Sequence, residues 1–259
     1  MSLANAAAVL HWLKGDRADV AVGELSASMG WPKSSTSRLL KDMTTLGLLE
    51  RDPLSRRYRT GLLMLELGRR YRSGEPLIEA ADEELQELTH RIGYSTGISI
   101  LDGANIVVLR SRAGTNPLRV VTPPGTRGPA WANSTGRCLL ARLSDDEIAR
   151  RFTPFPESTR PNAPNSLQKL MQRIGRARAQ GWDDSRDEHL PGVGGVSIAV
   201  ADPHNDTAFA PYIAFSPIQV SRQDVRDLAA MLLEMAGRLN AQFGNRSAVA
   251  TFLQRRAHV

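Results

Sequence analysis

The segment WPKSSTSRLLKDMTTLGLLERDPLSRRYRTG, residues 31–61, decides the fold of the N-terminal part of the chain. Its first half predicts a helix over 33–46, because apolar side chains recur there every three or four positions and Gly47 follows them. The side of this helix predicted to face a core consists of Thr36, Leu39, Leu40, Met43 and Leu46. The opposite side carries small hydroxyl and basic residues, so the helix is amphipathic.

Two helices are predicted before this helix, and a short hairpin after it. Apolar residues in 3–13 fall at helical spacing, and 22–29 forms a shorter helical pattern that Gly30 ends. The segments 48–51 and 56–60 have the composition of two short strands around a turn. Three small helices followed by a basic hairpin are typical of a winged helix-turn-helix domain, which binds DNA.

The distribution of charge agrees with a DNA-binding end. The net charge is +6; residues 1–72 carry 12 basic and 7 acidic side chains, and residues 73–259 carry 21 and 20. A positive excess at one end favours contact with a polyanion, although an ordinary solvated charged surface is the alternative. The residues predicted to contact DNA are Lys33, Ser34, Ser35, Ser37, Arg38 and Lys41 of the third helix and Arg56, Arg57 and Arg59 of the hairpin, or wing.

Two apolar-faced helices are predicted to follow the wing. The first begins at Leu62 and is expected to turn Leu62, Leu65 and Leu63 inward, and the second covers 77–92. These helices are expected to link two domains. Their apolar faces either pack on the chain's own domains or build a dimer.

From Ser95 onward the pattern becomes that of strands followed by helices. Asp102-Gly103 separates two apolar runs in 95–112 and so predicts a hairpin, and 118–122 predicts a third strand. A second hairpin is predicted from 195–201 and 208–216. Helices are predicted between the hairpins and after them, which gives an α+β domain on an antiparallel sheet.

Composition excludes several classes of protein and site. No apolar run is long enough for a membrane span, and the first residues lack a signal-peptide pattern, so we expect a cytoplasmic protein without a membrane partner. Cys138 is the single cysteine, and the five histidines show no metal-ligand spacing. The glycines of 192–195 lack the Lys-Ser/Thr of a phosphate loop. We therefore expect neither a metal nor a cofactor.

Taken together, these segments resemble the IclR family of bacterial transcription regulators. ELSASMGWPKSSTSRLLKDMTTLGLLERDPLSRRYRTGLLMLELG (24–68) follows the family's DNA-binding region closely, and TGRCLLARLSDDEI (135–148) and GWDDSRDEHLPGVGG (181–195) follow its effector domain more loosely. The resemblance implies a winged helix-turn-helix domain over 1–61, a linker helix over 62–76 and a GAF-like effector domain over 77–259. It also implies a homodimer or homotetramer that controls catabolic or metabolic genes in response to a small organic acid.

The resemblance further implies where the effector binds. The residues it assigns to the pocket are Trp131, Asn133, Ser134, Thr135, Gly136, Ser185, Gly195, Ile213 and Phe215. Ile213 and Phe215 stand where small-acid-binding members carry polar side chains, which favours an aromatic or larger organic acid. The alternative is that both are core residues. The start of the helix at Ser134–Gly136 is expected to hold the acid group.

An enzyme that converts a small acid, with an accessory basic domain, is the competing hypothesis. Cys138 would be its nucleophile, but flanking leucines favour a buried position. Asp183, Asp184, Asp187 and Glu188 form an acidic cluster, which we interpret first as a solvated loop, second as an effector contact and third as a general acid and base pair. No convergent nucleophile and base is evident in the sequence.

Overall fold

The computed structural model describes residues 2–14, 18–71, 75–157, 160–201 and 207–243. The chain divides into two compact units, Met1–Gly74 and Glu75–Val259. The turn of the second predicted hairpin, residues 202–206, and the C-terminal residues 244–259 lie outside the described residues.

The first unit is a small helical domain with a two-stranded wing. Its elements are α1 (Leu3–Leu13), α2 (Val22–Met29), α3 (Lys33–Thr45), β1 (Leu49–Arg51), β2 (Tyr58–Thr60) and α4 (Leu62–Arg70). The core forms where α1, α2 and α3 bury their apolar sides against the wing, with Leu25, Leu40 and Met43 at its centre. Val20, just before α2, exchanges two backbone hydrogen bonds of 2.8 Å with Tyr58 of β2. The predicted winged helix-turn-helix arrangement is confirmed.

Several leucines predicted to face a core are exposed instead. Leu46 is 68% exposed, because α3 ends at Thr45 and Gly47, with φ +74°, reverses the chain there. Leu62 and Leu65 of α4 are 59% and 61% exposed, and α4 has no buried residue. The helix is therefore present as predicted, but of the three leucines expected to face inward only Leu63 is partly buried.

The second unit is built on one antiparallel sheet. Its elements are α5 (Pro76–Ile92), β3 (Ser95–Asp102), β4 (Asn105–Arg112), β5 (Arg127–Pro129), a 3-10 turn (Ala130–Ala132), α6 (Ser134–Leu140), α7 (Asp145–Arg151), α8 (Leu167–Gln180), β6 (Asp183–Arg186), β7 (Gly194–Ser197), β8 (Val200–Ala201), β9 (Ala208–Phe215) and α9 (Arg222–Phe243). The strand order is β5-β4-β3-β9-β7-β6, with β8 also paired to β9. Every pairing among the described strands is antiparallel, so the predicted α+β, GAF-like class is confirmed.

Each face of this sheet buries a separate apolar core. On one face, Ile98 and Ile213 pack against α5 and α9 through Leu85 and Leu232. On the other face, residues of β4 and β9 pack against α6, α7 and α8. The alternation of side chains along each strand directs the buried strand residues to one face of the sheet or the other. This assignment determines which side chains border the cavity described below.

The predicted third strand at 118–122 is wrong. Only Arg127–Pro129 pairs with the outer edge of β4 among the described residues, through the register Asn105 to Pro129. Leu118 and Val121 are each 55% exposed. Because this segment has no neighbouring strand to cover its apolar side chains, its short apolar run did not produce a strand.

Candidate DNA interface and effector pocket

The outer side of α3 presents a polar and basic surface. The exposed residues of this side are Lys33, Ser34, Ser37, Arg38 and Lys41, and Ser35 is partly exposed. This exposure is what the amphipathic pattern predicts. The buried Thr36 instead donates its hydroxyl to the carbonyl of Pro32 at 3.0 Å. Among the described residues, no hydrogen bond or ion pair engages the side chains of Lys33, Arg38 and Lys41. Their charges are therefore available to an external anion.

The three arginines of the wing differ in how they are held. The guanidinium of Arg57 donates to the Asp19 carboxylate at 2.7 Å and to both oxygens of Glu24 at 2.7 and 2.9 Å. Hydrogen bonding to Glu24, then to Asp19, raises the pKa of Arg57. Arg59 pairs with Glu50 at 3.1 Å. Arg56 is exposed, and its side chain has no partner among the described residues.

The turn of the wing is fixed by Asp52. One oxygen of its carboxylate accepts hydrogen bonds from the backbone N–H groups of Leu54 at 3.0 Å and Ser55 at 2.6 Å, and from the Ser55 hydroxyl at 3.0 Å. These bonds, with Ser55 the main contributor, lower the pKa of Asp52. Arg56 follows this turn with φ +57°. The free arginine of the wing is thus carried by a turn of defined shape.

A cavity of about 130 Å³ lies between the sheet of the second unit, the start of α6 and the segments 120–128 and 188–195. Most of its wall is apolar, contributed by Ile106, Val108, Val120, Ala132, Leu190, Val193 and Ala214. Polar or charged residues also line it, namely Ser99, Thr122, Thr126, Arg127, Asn133, Ser134, Thr135, Ser185, Glu188, His189 and Tyr212. An enclosure that combines an apolar wall with polar groups is suited to a small amphipathic ligand.

The structure brings five of the nine predicted pocket residues to this cavity, namely Asn133, Ser134, Thr135, Ser185 and Gly195. Ile213 and Phe215 do not border it; they lie on the other face of the sheet, in the core with α5 and α9. Because neighbouring side chains of a strand point to opposite faces, Tyr212 and Ala214 border the cavity instead. The family resemblance thus assigned to the pocket two residues on the face of β9 that is opposite this cavity.

Trp131 and Gly136 also lie outside the cavity wall. Trp131 is buried against Phe155, with ring centroids 5.4 Å apart. Gly136 lies so close to the 3-10 turn that a Cβ atom there would be 2.2 Å from the carbonyl oxygen of Ala130. Both residues position α6 and do not contact the cavity.

The start of α6 is largely satisfied by its own cap. Asn133 Oδ1 accepts hydrogen bonds from the Gly136 N–H and the Thr135 hydroxyl, both at 2.7 Å. Its amide nitrogen donates to the Pro129 carbonyl at 2.6 Å. The Gly136 N–H is therefore already used, and an acid group would have to bind through other donors.

Two residues of the cavity wall carry buried hydroxyl groups. Ser99 Oγ is buried without a hydrogen-bond partner among the described residues. Burial raises the pKa of Tyr212 to about 12, and the nearby Ser111 hydroxyl lowers it by a smaller amount. Among the described residues, no group meets hydrogen-bond geometry with the Tyr212 hydroxyl. The ring of Tyr212 crosses β3 at Gly97, where a Cβ atom would lie 2.5 Å from its hydroxyl oxygen. Buried hydroxyls of this kind favour a ligand that supplies their missing partners.

His189 is a solvent-exposed titratable residue that borders the cavity. Its ring lies beside Gly128 and Asn133, with Nε2 3.6 Å from where a Cβ of Gly128 would be. Burial, and then the charge of Arg160, lowers the pKa of His189. The imidazole can act as a hydrogen-bond donor to an acid or become charged when an anion lies next to it.

A buried ion-pair cluster supports the cavity from behind. Arg137 of α6 is fully buried and pairs with the carboxylates of Asp183 and Glu188. Its Nη atoms also donate to the carbonyls of Trp131 at 3.0 Å and Asp184 at 2.8 Å. All five N–H donors of the guanidinium are thereby used. Burial by itself lowers the pKa of Arg137, but the carboxylates of Asp183 and Glu188 together raise it by more, so the pKa is raised overall.

The interpretation of the acidic cluster as a solvated loop is wrong for Asp183 and Glu188. Their side chains are only 4% and 3% exposed, and Glu188 also binds Arg173 at 3.0 Å. The sequence contained one signal for this cluster, which is the single charge of Arg137 between small and apolar residues of the predicted helix. Ser99, Tyr212 and His189 were missed because nothing in their local patterns distinguishes them.

Three other features weighed in the sequence analysis are Cys138, a metal site and a membrane span. Cys138 is buried, donates to the Ser197 carbonyl at 3.1 Å, and has a pKa raised by burial. The described part of the chain holds no group of His, Cys, Asp and Glu residues arranged for a metal. It also contains no helix with the length and apolarity that crossing a membrane requires.

Comparison with known proteins agrees with this architecture over nearly the whole chain. The IclR helix-turn-helix domain matches residues 2–53, and the C-terminal domain of bacterial IclR transcriptional regulators matches residues 70–241. The transcriptional regulator KdgR of Escherichia coli (strain K12) is 26% identical over 232 residues, which cover 89% of this chain and 88% of KdgR.

Solved structures show the same fold. The IclR transcriptional regulator from Alicyclobacillus acidocaldarius has a TM-score of 0.80 at 20% identity, covering 93% of this chain and 99% of that one. An IclR homologue from Microbacterium hydrocarbonoxydans, solved in complex with 4-hydroxybenzoate, has a TM-score of 0.81 at 19% identity, covering 93% and 98%. Since the match of the C-terminal domain alone spans well over half of the 259 residues, the chain belongs to the IclR family of transcriptional regulators, in which a DNA-binding helix-turn-helix domain precedes a ligand-binding domain.

Proposed function

We propose that α3 and the wing are the DNA-contacting elements of this regulator. The observation that supports this most directly is a set of exposed cations on one small domain, Lys33, Arg38, Lys41 and Arg56, whose side chains pair with none of the residues that the structure describes. The serines at 34, 35 and 37 allow the N-terminal turns of α3 to approach the floor of the major groove or a phosphate. Arg57 and Arg59 belong to the same surface, but each is already paired within the domain.

Fluorescence anisotropy with a duplex from the region upstream of the gene tests this assignment. The affinity should fall steeply as salt rises, because phosphate contacts release counterions. Arg38→Ala should reduce discrimination between operator and unrelated DNA, and Arg56→Ala should weaken both to a similar extent. Arg150→Ala, an exposed arginine of α7, is the matched control. Unchanged affinity in both test variants would contradict the proposal.

We propose an amphipathic organic acid, with an aromatic ring, as the effector. Support comes from the apolar cavity wall rather than from Ile213 and Phe215. A ring would lie against Ile106, Val108 and Val193, and each CH₂ equivalent buried there contributes about 0.8 kcal/mol. Ser99 and Tyr212 would bind a polar substituent at one end, and His189 with Ser134 would bind the acid at the other.

Calorimetry with 4-hydroxybenzoate, benzoate and pyruvate tests the effector class. 4-Hydroxybenzoate is the compound bound in the Microbacterium homologue, and it carries a polar group at each end of a ring. We expect 4-hydroxybenzoate to bind more tightly than benzoate, and benzoate more tightly than pyruvate. Tyr212→Phe should reduce the difference in affinity between 4-hydroxybenzoate and benzoate. Equal or reversed affinities would rule out this class of effector.

We propose that the regulator is a homodimer formed through its DNA-binding units, with a tetramer as a further assembly. The exposed leucines of α4 supply apolar surface for such an interface. A twofold assembly would also match a palindromic operator. In this proposal residues 1–61 bind DNA, 62–76 connect the domains and 77–259 bind the effector.

We propose, finally, that the chain is not an enzyme. Its single cysteine is buried, and burial raises the pKa of the Cys138 thiol, so it is a poor nucleophile. The two charged side chains of the cavity wall are each held by another charged group, Glu188 by Arg137 and Arg127 by Asp102, and they do not form a nucleophile and base pair. Incubation of the protein with 4-hydroxybenzoate or benzoate should leave the compound chemically unchanged.

A further inference from the structure

The second unit contains a second cavity, with a lining opposite in character to that of the effector pocket. It has a volume of about 480 Å³ and lies between α8, β6 and the start of α9. Five arginines line it, namely Arg173, Arg176, Arg186, Arg222 and Arg226. No part of the regulator mechanism described above uses this cavity. Its concentration of one type of charge therefore needs a separate explanation.

Acidic residues do not neutralise this cavity. Three carboxylates line it, those of Asp183, Asp184 and Glu188. Asp183 and Glu188 are buried and already paired with Arg137, which is not part of the lining. The five arginines of the lining outnumber these three carboxylates, and Arg173 is paired with Glu188 at 3.0 Å, so the lining keeps a net positive charge carried by the other arginines.

Some of these arginines hold the cavity in shape. Arg186 donates to the carbonyls of Pro217 at 3.2 Å, Val220 at 2.7 Å and Ser221 at 2.9 Å. These bonds fix the turn that leads into α9 and so place the first turns of α9 beside β6. Arg173 is held by the Asp184 carbonyl at 2.7 Å and by Glu188. The walls are therefore ordered before any ligand binds.

Other arginines have charges that are not used inside the protein. Arg176 and Arg222 are exposed and form no hydrogen bond or ion pair with any described residue. Arg226 makes one long hydrogen bond of 3.4 Å to the side chain of Gln223. Three guanidinium groups around one concave surface repel one another, and a multivalent anion between them would remove this repulsion. Guanidinium groups match phosphate oxygens in pairs, which a lysine cannot do.

We propose that this arginine-lined cavity is a second ligand site of the regulator, which binds a small anion carrying a phosphoryl group. The ligand is a small molecule, because the arginines surround a concave cavity. Arg176, Arg222 and Arg226 bind the phosphoryl oxygens, and Arg186 and Arg173 hold the walls. This site does not depend on the identity of the effector, whose pocket lies on the other side of Glu188.

Calorimetry with inorganic pyrophosphate and with glucose 6-phosphate, at constant ionic strength, tests the proposal. We expect saturable binding of pyrophosphate by the full chain, which Arg176→Ala combined with Arg222→Ala weakens about tenfold or more. Arg91→Ala combined with Arg150→Ala removes the same charge from exposed positions outside the cavity and should leave binding unchanged. Ala214→Leu, which narrows the effector pocket, should also leave it unchanged. Binding of glucose 6-phosphate would identify the ligand class as phosphorylated metabolites. Binding of pyrophosphate alone would identify it as free phosphate compounds.

Three results would overturn the proposal. The first is no saturable binding of either compound by the wild-type chain. The second is an equal loss of affinity in the Arg91 and Arg150 control. The third is a loss of operator affinity, with pyrophosphate binding intact, in the Arg176 and Arg222 variant, which would identify the cavity as a DNA backbone contact.

Discussion

The guanidinium of Arg57 and the carboxylate of Glu24 form two parallel hydrogen bonds, of 2.7 and 2.9 Å, between the wing and α2. Planar pairing of this kind fixes both position and orientation. Glu24 additionally accepts a hydrogen bond from the backbone of Ala21 at 3.2 Å, at the start of α2. Arg57 is therefore a structural residue of the domain as well as a candidate for contact with DNA.

Arg57→Ala and Arg56→Ala should differ in their effect on stability. Arg57→Ala removes the link between the wing and α2 and should lower the thermal midpoint of the first unit, whereas Arg56→Ala should leave it unchanged. Both variants should weaken DNA binding, which anisotropy measures. The thermal midpoint, followed by circular dichroism, separates the two roles. Equal midpoints in the two variants would show that the Glu24 pair contributes nothing.

Arg137→Met should destabilise the second unit strongly. It leaves the carboxylates of Asp183 and Glu188 buried without their main partner, and breaking a buried pair in this way costs about 3–5 kcal/mol. Urea unfolding of the full chain, followed by a probe of the second unit, measures the loss. Adding Asp183→Asn and Glu188→Gln to Arg137→Met should recover part of it. A loss below about 1 kcal/mol would show that the cluster is not tightly packed.

Two neighbouring residues of β9 should separate stability from ligand binding. Phe215→Ala removes a core side chain and should cost about 3–5 kcal/mol in unfolding free energy, while the relative affinities for 4-hydroxybenzoate and pyruvate stay the same. Ala214→Leu should have the opposite profile, with a small change in stability and a marked loss of 4-hydroxybenzoate binding. The profiles are obtained by urea unfolding and calorimetry. A changed ligand preference in a folded Phe215→Ala variant would mean that the pocket lies on the other face.

Binding of an aromatic acid should take up a proton at His189. Burial, followed by Arg160, lowers the pKa of this residue below its usual value, so it is neutral near pH 7, and a bound carboxylate would raise it again. Affinity should therefore be greatest below the pKa of the free protein and fall as pH rises through the pKa of the complex. The charged side chains of Arg127 and Glu188 border the same cavity.

Calorimetry in PIPES and in imidazole at about pH 6.5 measures this proton uptake as a difference in observed enthalpy. His189→Gln should abolish the difference. Benzamide, which has the same ring without a charge, should show none with the wild-type protein. An identical enthalpy for benzoate in the two buffers would place the acid group elsewhere in the cavity.

Leu62→Glu combined with Leu65→Glu should dissociate the proposed dimer. The two leucines are 59% and 61% exposed on α4, and charges there would oppose association. Sedimentation at micromolar concentration should show a 28.3 kDa species for this variant and a larger one for the wild type. Leu118→Glu combined with Val121→Glu alters two exposed apolar residues of the second unit and is the control. Dissociation by the control alone would place the interface elsewhere.

The sequence was sufficient to predict the helices, the hairpins and the exposed basic face of α3. These features follow from local spacing and from residues at helix ends, such as Gly47 and Gly181. It was insufficient for the pocket, because β9 is apolar on both faces: Phe209 and Ile213 enter one core, and Ala210 enters the other. An alternating pattern is informative only where one face is polar. A strand buried on both sides gives no indication of which residues border a cavity.

Contacts between residues far apart in the chain could also not be predicted from the sequence. Asp183 and Glu188 were interpreted as solvated because four acidic residues within six positions are usually on the surface. Their partner, Arg137, lies 46 and 51 residues away along the chain. Similarly, 118–122 has the composition of a strand, but strand formation requires a neighbouring edge, and β5 already pairs with that edge of β4.

The backbone pairing of Val20 with Tyr58 has a consequence for the entropy of DNA recognition. Val20 forms an isolated antiparallel bridge with Tyr58, so a residue just before α2 holds the wing in place in the free protein. Ordering a flexible backbone costs about 1–2 kcal/mol per residue. A regulator whose wing became ordered only on the operator would lose that free energy with every binding event. In this chain the wing is ordered when the domain folds, so the entropy loss belongs to folding and not to DNA binding. The free energy of the proposed contacts between the wing and DNA would then contribute fully to the affinity.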